Sequence, residues 1–312
     1  MSVEPEVAGY GPSSEAWRVN REIVGLMAAG PRALLLQIAH PQIAEGVRHH
    51  SNFQNEPRAR AERTTRSYLR IVFGGEKAAR DEIRRLNRMH AHIQGPVLDA
   101  TARLQGFDQY RARDPDLSLW VHSTLIDSTL VGYTSWVGPL SEDRQARFYL
   151  ESRSIGLAFG IPDATLPRDL DAFRRYMAEM VSPSGPVSVT PTALELAGTI
   201  LHPRLGPLLV APSNAGAPGV IKLAARASNL VPPALYDWML WPALQLLPPR
   251  IRDQYGIPHG RVQRAITAWL VSGYRSWRLV LPDRIRWVPQ ATAAYRRGEP
   301  TGRGRGAVSA SA

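Results

Sequence analysis

Cysteine is absent from the 312 residues. That removes disulfides, thiolate catalysis, Cys-ligated zinc, iron–sulfur clusters and covalent c-type haem attachment together. Any metal must then be held by histidine or carboxylate, or inside a cofactor. Lysine is almost absent too: Lys77 and Lys222 are the only two, so the net charge of +11, from 38 basic and 27 acidic residues, is carried almost wholly by arginine. A nucleic-acid footprint clusters its cations on one face, whereas these arginines are spread along the chain. The densest stretch, Arg58 to Arg88, is interleaved with Glu62, Glu76, Asp81 and Glu82 and reads as a solvated face. No nucleic-acid partner is expected. Long apolar runs are missing as well. Residues 230–247 are broken by Pro232, Pro233, Asp237 and Pro242, and residues 200–210 by His202, Pro203 and Arg204, so neither reaches the ~20 apolar residues that span a bilayer. Residues 1–10 carry Glu4 and Glu6 and lack the basic start and apolar run of a secretory signal. The expectation is a cytoplasmic protein, with Trp238 and Trp241 among leucines offering a peripheral membrane contact as the secondary reading.

What is present is a helical pattern. From Ser14 to Tyr176 apolar residues recur at spacings of three and four, with little of the period-two alternation that marks strands. The expected fold class is all-α: one large helical domain over residues 14–295 that encloses a pocket, then a disordered tail over 296–312, rich in Gly, Ser, Arg and Ala. Helix starts are predicted at Pro31 after Gly30, at Asp114-Pro115-Asp116, at Ser141-Glu142-Asp143 and at Pro167-Arg168-Asp169. Pro41, inside the otherwise helical run 33–47, removes the hydrogen bond to the Gln37 carbonyl and predicts a kink beside His40. Proline, serine and glycine accumulate between Ser182 and Gly219, which predicts loops around short helices, with Pro186 to Thr190 the one candidate for an extended piece. The Trp-containing segments from Val220 onward are expected to pack as helices on the first half.

Eight histidines are the first place to look for chemistry. A helix over residues 76–94 would put Ile83, Leu86, His90 and Ile93 on one face, turning His90 inward. An inward imidazole is either a ligand or a hydrogen-bonded core residue, and the choice depends on what else converges there. On the preceding helix Arg60, Thr64, Tyr68 and Ile71 share a face, which would turn a guanidinium, a hydroxyl and an aromatic ring toward the same interior. A buried guanidinium needs an anionic partner; the alternative is that Arg60 reaches solvent and Thr64 bonds its own helix. His122 shares an apolar face with Leu119, Leu125 and Ile126, with Asp127 too far round the helix to orient it, and reads as a core histidine. His49, His50, His202 and His259 lie at helix ends or in loops and are assigned no role. There is no His-Glu-x-x-His, Glu-x-x-His, Gly-x-Ser-x-Gly or P-loop motif, and the only Gly-x-Gly run falls at Gly302 to Gly306 in the tail.

Several short motifs recur in a fixed order: Leu35-Leu36-Gln37-Ile38-Ala39-His40-Pro41, Gly46-Val47, His50-Ser51-x-Phe53, Arg60-x-x-x-Thr64, Val72-Phe73-Gly74, His90-x-x-Ile93-x-Gly95, Leu119-Trp120-Val121-His122 with Asp127, and Tyr149-x-Glu151 before Gly160-Ile161-Pro162. Their succession, over residues 21–176 with a weaker echo at 275–296, resembles the rubber oxygenase (latex-clearing protein) and MpaB-type haem oxygenase family. The resemblance implies a haem b (iron) cofactor in an all-helical pocket, with His90 as the axial metal ligand and Arg60 and Thr64 beside the haem. Tyr68, on the same helix face, is expected to contact the cofactor. His122 is expected as a hydrogen-bonding residue or alternative ligand and is counted with Arg60 and Thr64 among the catalytic residues. The implied partners are dioxygen and a small hydrophobic alkene, of isoprenoid type. One departure stands out: the rubber enzymes carry a lysine just before the threonine, and here it is Arg63, a poor ligand. The competing expectation is a non-catalytic helical protein that binds haem or lipid.

Overall fold

Helix starts follow the capping chemistry written in the chain. Ser14 accepts from the Trp17 N–H ahead of α1 (Glu15–Asn20), Asp99 from Thr101 and Ala102 ahead of α6 (Ala100–Leu104), Asp114 from Asp116 and Leu117 ahead of α7 (Pro115–Trp136), and Asp169 from Ala172 ahead of α9 (Leu170–Met180). Each satisfies N–H groups that a helix start leaves without partners. Ser141 precedes α8 (Glu142–Ala158), whose first turn holds Glu142 and Asp143, where carboxylates complement the helix dipole. The computed structural model describes residues 10–51, 57–201 and 240–297. Its other elements are α2 (Ile23–Ile38), α3 (Pro41–His50), α4 (Pro57–Phe73), α5 (Gly75–His90), β1 (Gln94–Pro96), β2 (Gln109–Arg111), α10 (Pro191–Leu201), α11 (Pro249–Gln254), α12 (Arg261–Trp277), α13 (Asp283–Arg286) and α14 (Pro289–Arg297). Among the described residues the fold is all-α, apart from a short antiparallel ladder in which Gly95 faces Tyr110 and an isolated bridge between Glu22 and Trp287.

The centre of the molecule is the antiparallel pair α2 and α7. Gly25 meets Gly132 at one end, Arg32 meets Asp127 and Ser128 midway, and Trp120 donates its indole N–H to the Leu36 carbonyl at the other. That last bond exists because of the proline. Pro41 has no N–H for Gln37, so His40 N bonds the Gln37 carbonyl instead, and the Leu36 carbonyl loses its own helical donor. Trp120 replaces it. The expected kink is therefore a full break, with α2 and α3 at 101°. Around this pair the largest fully buried side chains, among them Trp17, Trp120, Phe73, Phe148, Tyr149 and Phe173, form one core. Among the described residues no single helix is long and apolar enough to cross a membrane, and the bent pair α2 and α3 passes only when taken together.

Several expectations are corrected. Pro31 does not start a helix but lies inside α2, whose buried face from Ala28 to Ile38 runs through it; burial against α7 outweighs one lost hydrogen bond. The helix bearing His90 ends there instead of continuing to Gln94, because residues 94–96 pair with β2 and the Ile93 carbonyl accepts from Ala112 N. The segment from Pro186 to Thr190 joins no ladder; Ser188 N instead bonds the Ala39 carbonyl at the end of α2. Trp269 and Trp277 on α12 are each 68% exposed, and α12 buries no residue, although Trp287 behind it is buried. Trp238 lies outside the described residues, as does the expected tail from residue 298 on; Arg296 and Arg297 close α14.

Candidate functional site

α4 and α5 run antiparallel, joined by a tight turn at Gly74 and Gly75, where Gly75 has φ +76° and so needs no Cβ. Their contact is apolar near the turn: Ile71, Ala79 and Ile83 are buried together, with Leu86, Ile155 of α8 and Phe159 just after it packed against them. The Ile83, Leu86 and His90 spacing therefore faces inward as the pattern requires. At its end that face opens, and His90, the last residue of α5, is half-buried on a cleft of about 270 Å³. Ala91, Ile93 and Gln94 line the cleft on one side, and Arg111, Arg113, Asp114 and Pro115 on the other. Burial, reinforced by the charge of Arg85, lowers the His90 pKa below the ordinary imidazole value. The ring is thus neutral at neutral pH and has a nitrogen lone pair to offer.

The α4 residues divide. Arg60 is half-buried, and burial with neighbouring Arg63 pulls its guanidinium down to about 10, so it keeps its charge at neutral pH. Thr64 is exposed, as is Arg63, which corrects the expectation that Thr64 turns inward. The physical reason is that, among the described residues of α4, those fully buried lie in its final turns: Leu69, Ile71, Val72 and Phe73. Tyr68 does turn inward, but toward α1 and α7: its hydroxyl donates to Asn20 Oδ1 at 2.5 Å and lies 3.3 Å from Thr129 Oγ1. Burial pushes its phenol up to about 12. Tyr68 and Arg60 therefore do not act as one face.

His122 sits in the middle of α7 and is 9% exposed. Its ring is hydrogen-bonded to the Ser152 backbone, and burial drives its pKa down to about 4. Nε2 is buried with no partner among the described residues. The opposing residue on α8 is Gly156, where a Cβ would lie 3.0 Å from both Cδ2 and Nε2 of the ring. Leu119, Ile161 and Leu166 form an apolar cluster beside it. Asp127 does not orient His122, as the spacing indicated; it pairs with Arg32 at 2.6 Å. His122 is not among the residues that line the His90 cleft. The motif Tyr149-x-Glu151 proves structural: Tyr149 donates to the Pro167 carbonyl, and Glu151 accepts from Glu15 N and Ala16 N at the start of α1.

The other histidines fall into place by contact. His40 caps α3, packs against Phe107, and is driven down to about 4 by burial. His49 stacks on Tyr110, and His50 lies 3.1 Å from the Tyr110 hydroxyl. His259 pairs with Gln245, and His202 lies outside the described residues. Among the described residues no three His, Asp or Glu side chains converge as a metal-holding group. The residues that sequence reasoning missed are Arg111 and Arg113. The signal lay in Arg111-Ala112-Arg113-Asp114-Pro115, whose last two residues were legible as a helix start, but the ladder that delivers the arginines to His90 is too short to show a period.

The fold and the cleft together define a helical protein that presents a single neutral imidazole beside a cation-bearing hollow. The ER-bound oxygenase mpaB/B′ and rubber oxygenase catalytic domain matches residues 17–277, and the chain belongs to that family. Uncharacterized proteins of Mycobacterium bovis and Mycobacterium tuberculosis are each 26% identical over 148 residues, which is 46% of this chain and 55% of theirs. The chain thus spans about half the length of these curated relatives. No solved structure matches it.

Proposed function

We propose that this oxygenase-family protein uses haem b and dioxygen to cleave the double bond of an isoprenoid-type alkene. The observation that carries the reading is His90: a half-buried neutral imidazole opening on a cleft, at the position to which the family's axial histidine corresponds. The donor set fits a haem. One imidazole suffices for a macrocycle-bound iron, and cationic side chains stand beside it to meet the carboxylates of such a group. Tyr68 does not fit, because its hydroxyl is committed to Asn20. When bound, the haem supplies the iron at which dioxygen is activated.

The chain's own residues do the rest. His90 offers the metal its lone pair and stays unprotonated. Arg60, charged at neutral pH, is suited to stabilise a developing oxyanion or a carboxylate. The Thr64 hydroxyl, on the exposed face of α4, acts as a hydrogen-bond donor once a ligand covers it. His122, kept neutral by burial and bonded to the Ser152 backbone, can accept one hydrogen bond at Nε2 beside an apolar wall, outside the His90 cleft. The reaction adds both atoms of dioxygen across one carbon–carbon double bond and gives two carbonyl fragments. The test is incubation of the haem-loaded protein with an isoprenoid oligomer under isotopically labelled dioxygen. One labelled oxygen in each carbonyl product is the expected result. A haem-loaded protein that leaves the oligomer intact would assign it to binding rather than cleavage.

A further inference from the structure

The His90 cleft has a second wall that the family motifs do not include. Gln94 pairs with Arg111 in the ladder, Ala112 N bonds the Ile93 carbonyl at 2.9 Å, and Asp114 N bonds the Arg111 carbonyl at 2.9 Å. These bonds tie the backbone of Arg111 and Arg113 to the turn that follows His90, so both side chains start from fixed positions at the cleft. Both side chains are exposed, and among the described residues neither forms an ion pair. The one carboxylate lining the cleft, Asp114, caps α7, with Oδ1 accepting from Asp116 N at 2.9 Å and Leu117 N at 3.3 Å, and forms no ion pair with either arginine among the described residues. Two guanidiniums without an ion pair among the described residues therefore share a hollow of about 270 Å³ with the His90 imidazole. The group that completes such a wall is a carboxylate, which a guanidinium fork binds with two parallel hydrogen bonds.

We propose that Arg111 and Arg113 hold the propionate carboxylates of a haem ligated by His90; the proposal rests on the haem reading above. The arginines are positioning residues for the cofactor. They set its affinity and orientation without touching the iron.

The experiment titrates apoprotein with haem and, separately, with haem dimethyl ester, following the Soret band for the wild type, Arg111→Gln/Arg113→Gln and His90→Ala. Exposed guanidinium–carboxylate pairs contribute up to ~1 kcal/mol each, so the double variant should bind haem roughly five- to thirtyfold more weakly. Its Soret position should be unchanged, because the iron ligand is. The ester should bind the wild type as weakly as haem binds the double variant, and the double variant should treat the two alike. Because both side chains are exposed, thermal melting of the double-variant apoprotein should match the wild type. Haem affinity unaltered in the double variant, with a Soret band that still depends on His90, would overturn the proposal. So would a wild type that binds the ester as tightly as haem while an isoprenoid carboxylic acid perturbs its spectrum only when both arginines are present, which would assign them to substrate. A wild type that takes up no haem would instead remove the haem reading itself, and this proposal with it.

Discussion

Two glycines that face each other across the α2 and α7 contact should respond in opposite senses to the same substitution. A Cβ on Gly132 would lie 2.5 Å from the Gly25 carbonyl oxygen and 3.3 Å from Ala29 N. Both obstacles are backbone, so no side chain can swing away, and α7 must move from α2 by nearly an ångström. Overpacking costs ~1–3 kcal/mol, and an obstacle made of backbone alone puts this case in the upper half of that range, ~2–3 kcal/mol. Alanine's better helix propensity returns about 1 kcal/mol, which leaves Gly132→Ala destabilised by ~1–2 kcal/mol. A Cβ on Gly25 meets Tyr133 Cα at 3.6 Å, Tyr133 N at 3.7 Å and the Gly132 carbonyl carbon at 3.9 Å, all ordinary contacts. Gly25→Ala should therefore be neutral or up to ~1 kcal/mol more stable. Equilibrium urea unfolding of the apoprotein, followed by far-ultraviolet circular dichroism, reads both as midpoint shifts at constant slope. A Gly132→Ala variant as stable as the wild type, or two variants shifting together, would refute this account of the helix contact.

Three further outcomes follow from buried polar groups. Arg32 is 4% exposed and bonds the Leu246 carbonyl, Ser128 Oγ and Asp127, so Arg32→Ala should cost ~3–5 kcal/mol in the same unfolding assay, and a loss under 1 kcal/mol would contradict it. Glu45 is fully buried and accepts from Leu98 N at 2.7 Å and Thr192 Oγ1 at 2.8 Å; Glu45→Ala strands those donors at ~1–3 kcal/mol each, and amide hydrogen exchange at Leu98 should rise. His40 and His122 are held near 4 by burial against an ordinary value of about 6.5. The unfolded chain therefore takes up protons between those values that the native state refuses. Their contribution is complete above about pH 6.5 and is lost as the pH falls toward 4, at up to ~1.4 kcal/mol per pH unit for each histidine. His122→Asn should remove one proton's share of that slope between pH 6 and 4.5, and an unchanged slope would show that His122 is already protonated in the folded protein.

How much of this was legible in the sequence depends on the range of the interaction. The caps at Asp114 and Asp169 and the break at Pro41 are local: a side chain or a missing N–H acts within four residues, and the structure has them where the chain announces them. Pro31 misled because its cost is local while the burial that overrides it comes from α7, far away in sequence. Helical periodicity correctly turned Ile83 inward, and it brought His90 to the edge of that face. The same logic failed for Thr64, because periodicity states which residues share a face but not how far along the helix the partner extends. Tyr68 was recognised as inward but not as Asn20's partner, a contact across 48 residues that no spacing encodes. Arg111 and Arg113 reach His90 through a three-residue ladder, which leaves no periodic trace.

The most direct test of the central claim is the haem content of the purified protein and of His90→Ala, each expressed with a haem precursor and measured by Soret absorption and the pyridine haemochrome assay. About one haem b per chain in the wild type, with none retained by a folded His90→Ala variant, is the outcome that a single axial imidazole requires. A well-folded wild type without a Soret band after reconstitution, or a His90→Ala variant that keeps its full complement of haem, would contradict the account.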